Sequence, residues 1–152
     1  MEKNASVAVV DFDIKNMVGH LIRVAQQVHF SLWAEGIGQD ALTSPQFAVL
    51  HELAQAGGMG QRDLGDQASL DRSTIADVIA RLQRRELIGR SQDPDDGRRK
   101  LVELTPLGRE VHDRALPLAY DINEALLTPL GDEERHQLIE LLTKILDYHT
   151  QA

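Results

Sequence analysis

Apolar residues between positions 71 and 85 recur at steps of three and four. They are Ile75, Val78, Ile79 and Leu82. This spacing places the four side chains on one face of an α-helix, and the opposite face carries arginine, serine and threonine. Asp71 precedes the pattern, where an aspartate can cap a helix by accepting from the amide near Thr74. The pattern therefore predicts an amphipathic helix over residues 71–85.

A second helix is predicted after position 43, where the chain has Thr-Ser-Pro. Ser44 is expected to cap it, and Pro45 fits the first helical position, where no backbone donor is missed. The Gly57-Gly58 pair is expected to end it. The residues expected to face the core are Phe47, Leu50, Leu53 and Ala54.

A third, short helix is predicted from position 60 to about position 68, with Leu64 directed inward. Gly65 lies inside it and is expected to cost up to about 1 kcal/mol relative to alanine. Ser69-Leu70 forms the turn to the amphipathic helix. A helix, a tight turn and a second helix make a helix-turn-helix.

Two short strands are predicted next, over residues 90–92 and 100–104, as the arms of a hairpin. Leu101 and Val102 are neighbours, so only one of them can point inward from a regular strand. The turn between the strands carries Pro, Gly, three acids and arginines. A helix of this kind can enter a major groove, and such a turn can contact the backbone or a minor groove.

Longer helices are predicted on both sides of this unit. The first runs from position 11 to about position 33, and another begins at Thr105-Pro106, with a kink expected at Pro117. A last helix begins with an acidic turn at Asp132, which the helix dipole favours. Their apolar stripes are wider than one small domain needs, which indicates a dimer.

The net charge of −8 hides a local difference. Residues 59–100 hold nine Lys or Arg against eight Asp or Glu, a net of +1, whereas the remainder holds seven against sixteen, a net of −9. Nucleic-acid binding requires a local basic face rather than a basic protein. The alternative is a solvated surface that happens to be rich in arginine.

The chain resembles the multiple-antibiotic-resistance regulator (MarR) family of winged-helix repressors, from about position 19 to its C-terminus. The residues that carry the resemblance are Asp71, Ser73-Thr74, Leu82, Leu87-Ile88, Asp93-Pro94, Asp96, Arg98-Arg99, Leu104-Thr105-Pro106 and Gly108. The resemblance implies a mainly α fold with a small β-hairpin wing. It also implies one domain over residues 1–152, with dimerisation helices at 11–35 and 106–150 and a DNA-binding lobe at 43–105.

The residues expected to contact DNA lie on three elements of that lobe. In helix-turn-helix proteins the first turns of the recognition helix meet base edges, and the remaining contacts go largely to phosphate. Arginine can bind guanine O6 and N7 together, whereas serine and threonine can also bind phosphate. The expected contacts are Gln61, Arg62, Arg72, Ser73, Thr74, Asp77, Arg81, Arg84, Arg98, Arg99 and Lys100.

The wing arginines follow from the resemblance, which implies that one of Arg98 and Arg99 enters a minor groove while Asp96 or Asp93 braces the turn. A narrow minor groove concentrates negative potential and favours a guanidinium. The sequence leaves open which arginine enters. Glu86 departs from the family pattern, because it stands where the family usually has a glycine that ends the recognition helix.

The resemblance also implies a small-molecule effector bound between the dimerisation helices and the lobe, such as an aromatic carboxylate or its thioester. The residues expected to bind it are His20, Arg23, Trp33 and His51. Arg23 could pair with a carboxylate and Trp33 could offer a ring face. The alternative is that Trp33 is dimer core and Arg23 a surface residue.

Other function classes find little support in the sequence. There is no cysteine, and the six histidines form no metal signature, so we expect no metal, cofactor or catalysis. No apolar run is long enough to cross a membrane, and a cytoplasmic protein is expected. We therefore expect a homodimeric repressor of a pseudo-palindromic operator in double-stranded DNA. The alternative is a winged-helix protein-interaction module that does not bind DNA.

Overall fold

Six α-helices and three short strands make up the computed structural model, which describes residues 13–150. The helices are α1 (Val18–Gly36), α2 (Ser44–Ala56), α3 (Gln61–Gln67), α4 (Arg72–Arg84), α5 (Pro106–Leu127) and α6 (Asp132–Thr150). The strands are β1 (Met59–Gly60), β2 (Ile88–Gln92) and β3 (Lys100–Leu104), and 3-10 turns cover Ile14–Asn16 and Gly38–Asp40. The prediction of a mainly α winged helix-turn-helix is confirmed.

The helix starts show which capping predictions hold. Asp71 accepts from the Ser73 and Thr74 amides, as predicted for α4. The prediction that Ser44 caps α2 is wrong, because Thr43 is the cap. The Thr43 hydroxyl accepts from the Gln46 amide, and the Gln46 side chain accepts from the Thr43 amide. A cap at Ser44 would place Phe47 at the third helical position, where it has no acceptor to complete this capping box.

The first helix begins later than predicted. Helix α1 starts at Val18 and ends at Gly36, and the preceding 3-10 turn is capped by the Asp13 side chain. The predicted start at position 11 lies outside the described residues. Helix α5 begins at Pro106 after the Thr105 cap and continues through Pro117 as one helix.

The sheet has one strand more than the predicted hairpin. Strands β2 and β3 pair antiparallel with Ile88 opposite Leu104, so β2 begins two residues earlier than predicted. Strand β1 pairs with the other edge of β3, with Met59 opposite Val102. Val102 is buried and Leu101 only half-buried, which confirms that one of the two points inward. Strand β1 therefore ties the start of α3 to the wing.

The core lies mainly inside the lobe formed by α2, α3, α4 and the sheet. The four predicted apolar positions of α4 are all buried, and they pack with buried residues of the other elements. Phe47 and Ala54, predicted to face the core with Leu50 and Leu53, are only partly buried. The innermost side chains are Val49, Leu50, Leu53, Leu64, Ile79, Leu82 and Val102.

Gly65 has a packing role that the sequence did not reveal. A Cβ there would lie 3.3 Å from both Ile75 Cγ2 and the Leu70 carbonyl oxygen. The glycine therefore lets α3 and α4 approach closely, and an alanine in its place would meet these atoms at a tight distance. Glu86 itself adopts a left-handed conformation with φ of 58°, so α4 ends without the usual glycine.

The terminal helices expose their apolar stripes. Helix α6 buries none of its residues within the chain. Exposed large apolar side chains concentrate on the segment from Ile14 to Phe30 and on α6, where they include Leu138, Ile139, Leu141, Leu142, Ile145 and Leu146. Within residues 13–150, no helix has the length and hydropathy needed to cross a membrane.

Candidate nucleic-acid interface and ligand cavity

The first turn of α4 is held by Asp71. Its carboxylate accepts from the Ser73 and Thr74 amides at 2.9 Å and from their hydroxyls at 2.6 Å. The bonds from Ser73 and then from Thr74 hold the pKa of the Asp71 carboxyl well below its ordinary value. Asp71 is therefore a carboxylate at neutral pH, and it holds the first turn of α4 by four hydrogen bonds.

The polar residues of α4 divide among three directions. Ser73, Asp77 and Arg84 are exposed on the side opposite the buried stripe. Arg72 borders a groove against α3, together with Gln61 and Arg62. Thr74 and Arg81 border a different cavity, which also touches Asp77. The predicted DNA-contacting residues of this helix therefore do not share one face.

Two of these side chains form an ion pair along the helix. Arg81 Nε donates to Asp77 Oδ2 at 2.8 Å, and both side chains are more than half exposed. A pair this exposed contributes little to stability, because water screens it. Its effect is local, because it offsets the negative charge of Asp77 on a surface that carries several arginines.

The groove between α3 and α4 has a volume of about 500 Å³. Its polar rim contains Gln61, Arg62, Asp66 and Arg72. Gln61 Oε1 accepts from Arg90 on β2 at 3.2 Å, so its side chain also ties α3 to the wing. Arg62 and Arg72 thus flank the start of both helices of the helix-turn-helix.

The two wing arginines have different surroundings. Arg99 forms ion pairs with Asp63 on α3 and with Asp93 at 4.0 Å. The Arg98 side chain has no hydrogen-bond or ion-pair partner among residues 13–150, and only its amide is held, by Asp96 Oδ1 at 3.0 Å. Arg99 is therefore anchored to the lobe, whereas Arg98 extends from the tip of the wing. Lys100 follows them, exposed, at the start of β3.

Both candidate aspartates brace the wing turn. The Asp93 amide donates to the Arg99 carbonyl, and the Arg99 amide donates to the Asp96 carbonyl, both at 2.9 Å. The Asp93 side chain accepts from the Asp95 amide at 2.9 Å. The turn is closed by these bonds without help from Gly97, which has open space around its α-carbon.

A second cavity of about 630 Å³ lies between the end of α1, the start of α2 and one side of α4. Phe30, Trp33, Ile37, Leu42 and Val78 make its walls largely apolar. Its polar groups come from Thr43, Ser44 and Gln46 on one side and from Thr74, Asp77 and Arg81 on the other. A molecule in this cavity would touch the same helix that carries the predicted DNA contacts.

Of the four residues predicted to bind an effector, Trp33 alone lines this cavity. Its indole N–H donates to the Leu42 carbonyl at 2.6 Å, so only its ring is free for a ligand. His20 and Arg23 lie earlier on α1, where Arg23 Nη2 is 3.3 Å from His20 Nδ1. His51 lies on the far side of Phe47, against α5. The chain therefore does not bring the four residues together by itself.

Sequence reasoning missed a histidine chain that joins α2 to α5. His51 Nδ1 lies 3.1 Å from His112 Nε2, and His112 Nδ1 lies 2.9 Å from Asp113 Oδ1. His112 is buried, and its ring stacks on Phe47. A lone histidine in a long helix gives no sequence signal for this. Within residues 13–150, no group of metal-ligating side chains has the geometry to hold an ion.

The loop between α1 and α2 is fixed by arginines from two other helices. Arg114 on α5 forms a two-pronged ion pair with Asp40, at 3.0 and 3.1 Å, which raises the pKa of this guanidinium. Arg85, at the end of α4, donates to the Asp40 carbonyl oxygen at 2.5 Å. Asp40 therefore couples the loop between α1 and α2, which contributes Ala41 and Leu42 to the cavity, to the end of α4 and to α5.

Known proteins are similar to this chain in sequence and in fold. The model of the MarR family matches residues 42–100. The HTH-type transcriptional repressor NicR of Pseudomonas putida is 36% identical over 141 residues, which are 93% of this chain and 89% of NicR. The PcaV transcriptional regulator of Streptomyces coelicolor, solved with its natural ligand, is 40% identical with a TM-score of 0.83, over 91% of this chain and 97% of PcaV. BpsR of Bordetella bronchiseptica, solved to explain how 6-hydroxynicotinic acid regulates its DNA binding, is 33% identical with a TM-score of 0.83, over 91% of this chain and 99% of BpsR.

Proposed function

This chain belongs to the MarR family, and we propose that it is a homodimeric repressor that binds a pseudo-palindromic operator and is released by a small aromatic acid. Its half-sites would lie about one helical turn apart, because the two lobes of a symmetric dimer meet successive major grooves. The protein would act in the cytoplasm, where it meets the chromosome. NicR is named a repressor, and BpsR has its DNA binding regulated by an aromatic acid.

The observation that carries the proposal is the unequal pair of wing arginines. Arg99 is held to α3 and to the wing turn, whereas Arg98 is free at the tip. A rigid hairpin with one unpaired guanidinium suits insertion into a narrow minor groove, where negative potential is highest. We therefore assign the groove contact to Arg98 and the bracing role to Arg99.

The other predicted DNA contacts would surround this anchor. Arg62 and Arg72 at the groove between α3 and α4 would hold phosphates, with Gln61 on the same groove and Lys100 at the start of β3. Arg84 lies on the exposed side of the last turn of α4, where it would contact the DNA backbone. Residues 59–100 carry a net charge of +1, so the net charge of −8 of the whole chain is compatible with DNA binding by this region.

The dimer would form through the exposed apolar stripes of α1, α5 and α6. These side chains have no cover within residues 13–150, and a contiguous apolar surface of this kind marks an interface. The dimer would place each lobe at one half-site. His20 and Arg23 lie on the exposed part of α1, where a partner chain could bring them towards its own cavity.

The cavity beside Trp33 is the proposed effector site. Its volume exceeds that of a single aromatic acid, and its apolar walls and few polar groups are typical of ligand sites. A bound carboxylate could take Arg81 from Asp77, because a guanidinium pairs with either carboxylate. The ligand would thereby favour a position of α4 that does not fit DNA, and it would shift the population away from the bound state.

The DNA-binding part is tested by selecting duplex DNA from the source genome and titrating it by anisotropy at several salt concentrations. We expect a palindrome and an affinity that falls steeply with salt. Arg98→Ala should weaken binding and reduce the salt slope by about one. Arg109→Ala, which removes an arginine that contacts the Ala54 carbonyl on α2, is the matched control. If no duplex is bound, an interaction module replaces the repressor.

The effector part is tested by adding 6-hydroxynicotinic acid and related aromatic acids to the operator complex. Ala34→Trp should block release without altering operator affinity, because Ala34 lines the cavity and a larger side chain would fill it. Arg23→Ala should also weaken release at unchanged DNA affinity. If Arg23→Ala lowers DNA affinity and release equally, Arg23 is not an effector residue.

A further inference from the structure

The outer face of α4 presents hydrogen-bond acceptors along its first two turns. Ser73, Asp77, Ala80 and Arg84 recur at steps of four, three and four residues, so they share one helical face. All four are exposed, and they lie opposite the buried stripe. The side chains that would approach base edges most directly are therefore a hydroxyl, a carboxylate and a methyl group, with arginine only at the far end.

The hydroxyl of Ser73 already donates its proton to a hydrogen bond with Asp71. Its Oγ lies 2.6 Å from Asp71 Oδ1, and a carboxylate can only accept, so the hydroxyl proton must point towards Asp71. The outward side of Ser73 Oγ then offers lone pairs alone. A phosphate has no proton to donate at neutral pH, so Ser73 cannot bind phosphate while this bond persists.

Asp71 has little freedom to release that hydroxyl. Its carboxylate also accepts from two backbone amides at 2.9 Å and from the Thr74 hydroxyl at 2.6 Å. Turning Ser73 towards a phosphate would break a charge-assisted hydrogen bond, which is stronger than a neutral one. The bond to the capping residue Asp71 thus leaves the Ser73 hydroxyl to act as an acceptor towards DNA.

Asp77 adds a second acceptor one turn further on. Its Oδ2 accepts from Arg81, and among residues 13–150 its Oδ1 has no partner. The adjacent guanidinium offsets the negative charge of the carboxylate, which lowers its repulsion from the phosphates of a groove. The small side chains of Ala76 and Ala80 beside it allow the helix backbone to lie close to the bases.

We propose that Ser73 Oγ and Asp77 Oδ1 select exocyclic amino groups, adenine N6 or cytosine N4, at two positions of each operator half-site. These amines are the hydrogen-bond donors that bases present in the major groove, whereas guanine and thymine present acceptors there. This inference rests on the proposed function, because it requires α4 to enter the major groove.

The first test is selection from a random duplex library by the wild type, Ser73→Ala and Asp77→Ala. We expect adenine or cytosine at two half-site positions, and each variant should lose the preference at one of them by about tenfold. Gln83→Ala is the matched control, because Gln83 lies on the same helix but away from its outer face, and it borders neither the groove nor the cavity. It should leave both preferences unchanged.

The second test removes the amino group from the DNA. Replacing the selected adenine by purine, or cytosine by pyrimidin-2-one, should weaken wild-type binding about tenfold, with no further loss in the variant that lacks the partner side chain. Equal losses in wild type and variant, or a selected guanine or thymine at both positions, would overturn the inference and leave the repressor standing. Recovery of no duplex at all by the wild type would overturn both.

Discussion

The winged lobe, residues 42–104, and the terminal helix α6 differ in how far they bury their large apolar side chains. The lobe buries its large apolar residues against its own elements, with Leu50, Leu53 and Leu64 fully enclosed. Helix α6 also carries a stripe of large apolar side chains, but it buries none of its residues. The lobe therefore takes its stability from this chain, whereas the apolar stripe of α6 has no cover within residues 13–150 and is where we propose that a second chain binds.

This difference makes it possible to separate the free energy of unfolding of the lobe from the free energy of association of two chains, which a single unfolding curve would combine. Substitutions in the lobe should change the free energy of unfolding at every protein concentration. Substitutions on the exposed stripes should act through association, and their effect should depend on concentration. The lobe meets α5, the helix before α6, at Asp40, where Arg85 from the lobe and Arg114 from α5 hold the same residue.

The largest effect is expected from charges placed on α6. Leu142→Glu combined with Leu146→Glu should convert the proposed dimer to monomers, because two carboxylates of each chain would have to be buried without partners. Operator affinity should fall by about 100-fold or more, since a monomer loses the second half-site. Sedimentation and anisotropy measure the two changes. Lys144→Glu, a charge change on the same helix, should leave the dimer intact, and a double variant that stays dimeric would place the interface elsewhere.

A cavity in the lobe should have the next largest effect. Leu53→Ala should lower the free energy of unfolding by about 2–5 kcal/mol, because the side chain is fully enclosed and its removal leaves a void. Leu141→Ala on α6 is the matched substitution, since that side chain is 61% exposed in the chain. Denaturation at two protein concentrations distinguishes them. Equal concentration dependence in both variants would contradict a lobe that is stable by itself.

A third substitution tests the junction between lobe and dimerisation helices. Gly108→Ala would place a Cβ 1.9 Å from the Leu87 carbonyl oxygen, which belongs to the backbone and cannot turn aside. We expect a loss of about 1–3 kcal/mol as α5 shifts from the lobe. Gly89→Ala is the control, because nothing lies within 4 Å of its added Cβ. Thermal melts of both variants compare them directly, and equal melting temperatures would contradict the tight contact.

The predictability of the lobe followed from how local its signals are. The buried stripe of α4, the Asp71 cap and the Thr105 cap depend on side chains within a few residues of each other, so the sequence revealed them. Strand β1 has two residues, too few for a period, and only its partner β3 defines it. The identity of the α2 cap depended on a single position, and Gln46 at the third helical position decided it.

The candidate site was less predictable, because its geometry depends on long-range contacts. The sequence could not say which wing arginine is free, since Asp63, which anchors Arg99, lies 36 residues away. It did not reveal that the Trp33 indole is bonded to Leu42, nor that His51 faces a buried His112. The division of α4 into an outward face and a cavity side also required the packing of α1 and α2.

The smallest expected effect is a gain in stability from a substitution at Glu86, which should act on the lobe and leave association unchanged. Glu86 has φ of 58°, a conformation that costs an L-residue about 1–2 kcal/mol. Glycine adopts it freely but loses about 0.5–1 kcal/mol through the extra freedom of the unfolded chain. Glu86→Gly should therefore raise the free energy of unfolding by about 0.5–1 kcal/mol.

The carbonyl of Glu86, which accepts from the Thr105 hydroxyl at 2.7 Å, is kept in this variant, so the junction with α5 should not change. Glu86→Ala is the matched control, because it removes the charged side chain but retains the Cβ that causes the strain, and it should give no gain. The dimer dissociation constant should be the same in all three proteins, since Glu86 lies at the end of α4 and not on the exposed stripes. A gain in both variants would assign the effect to the charge of Glu86. A change in dissociation constant would show that the lobe and the dimerisation helices do not act as independent sources of stability.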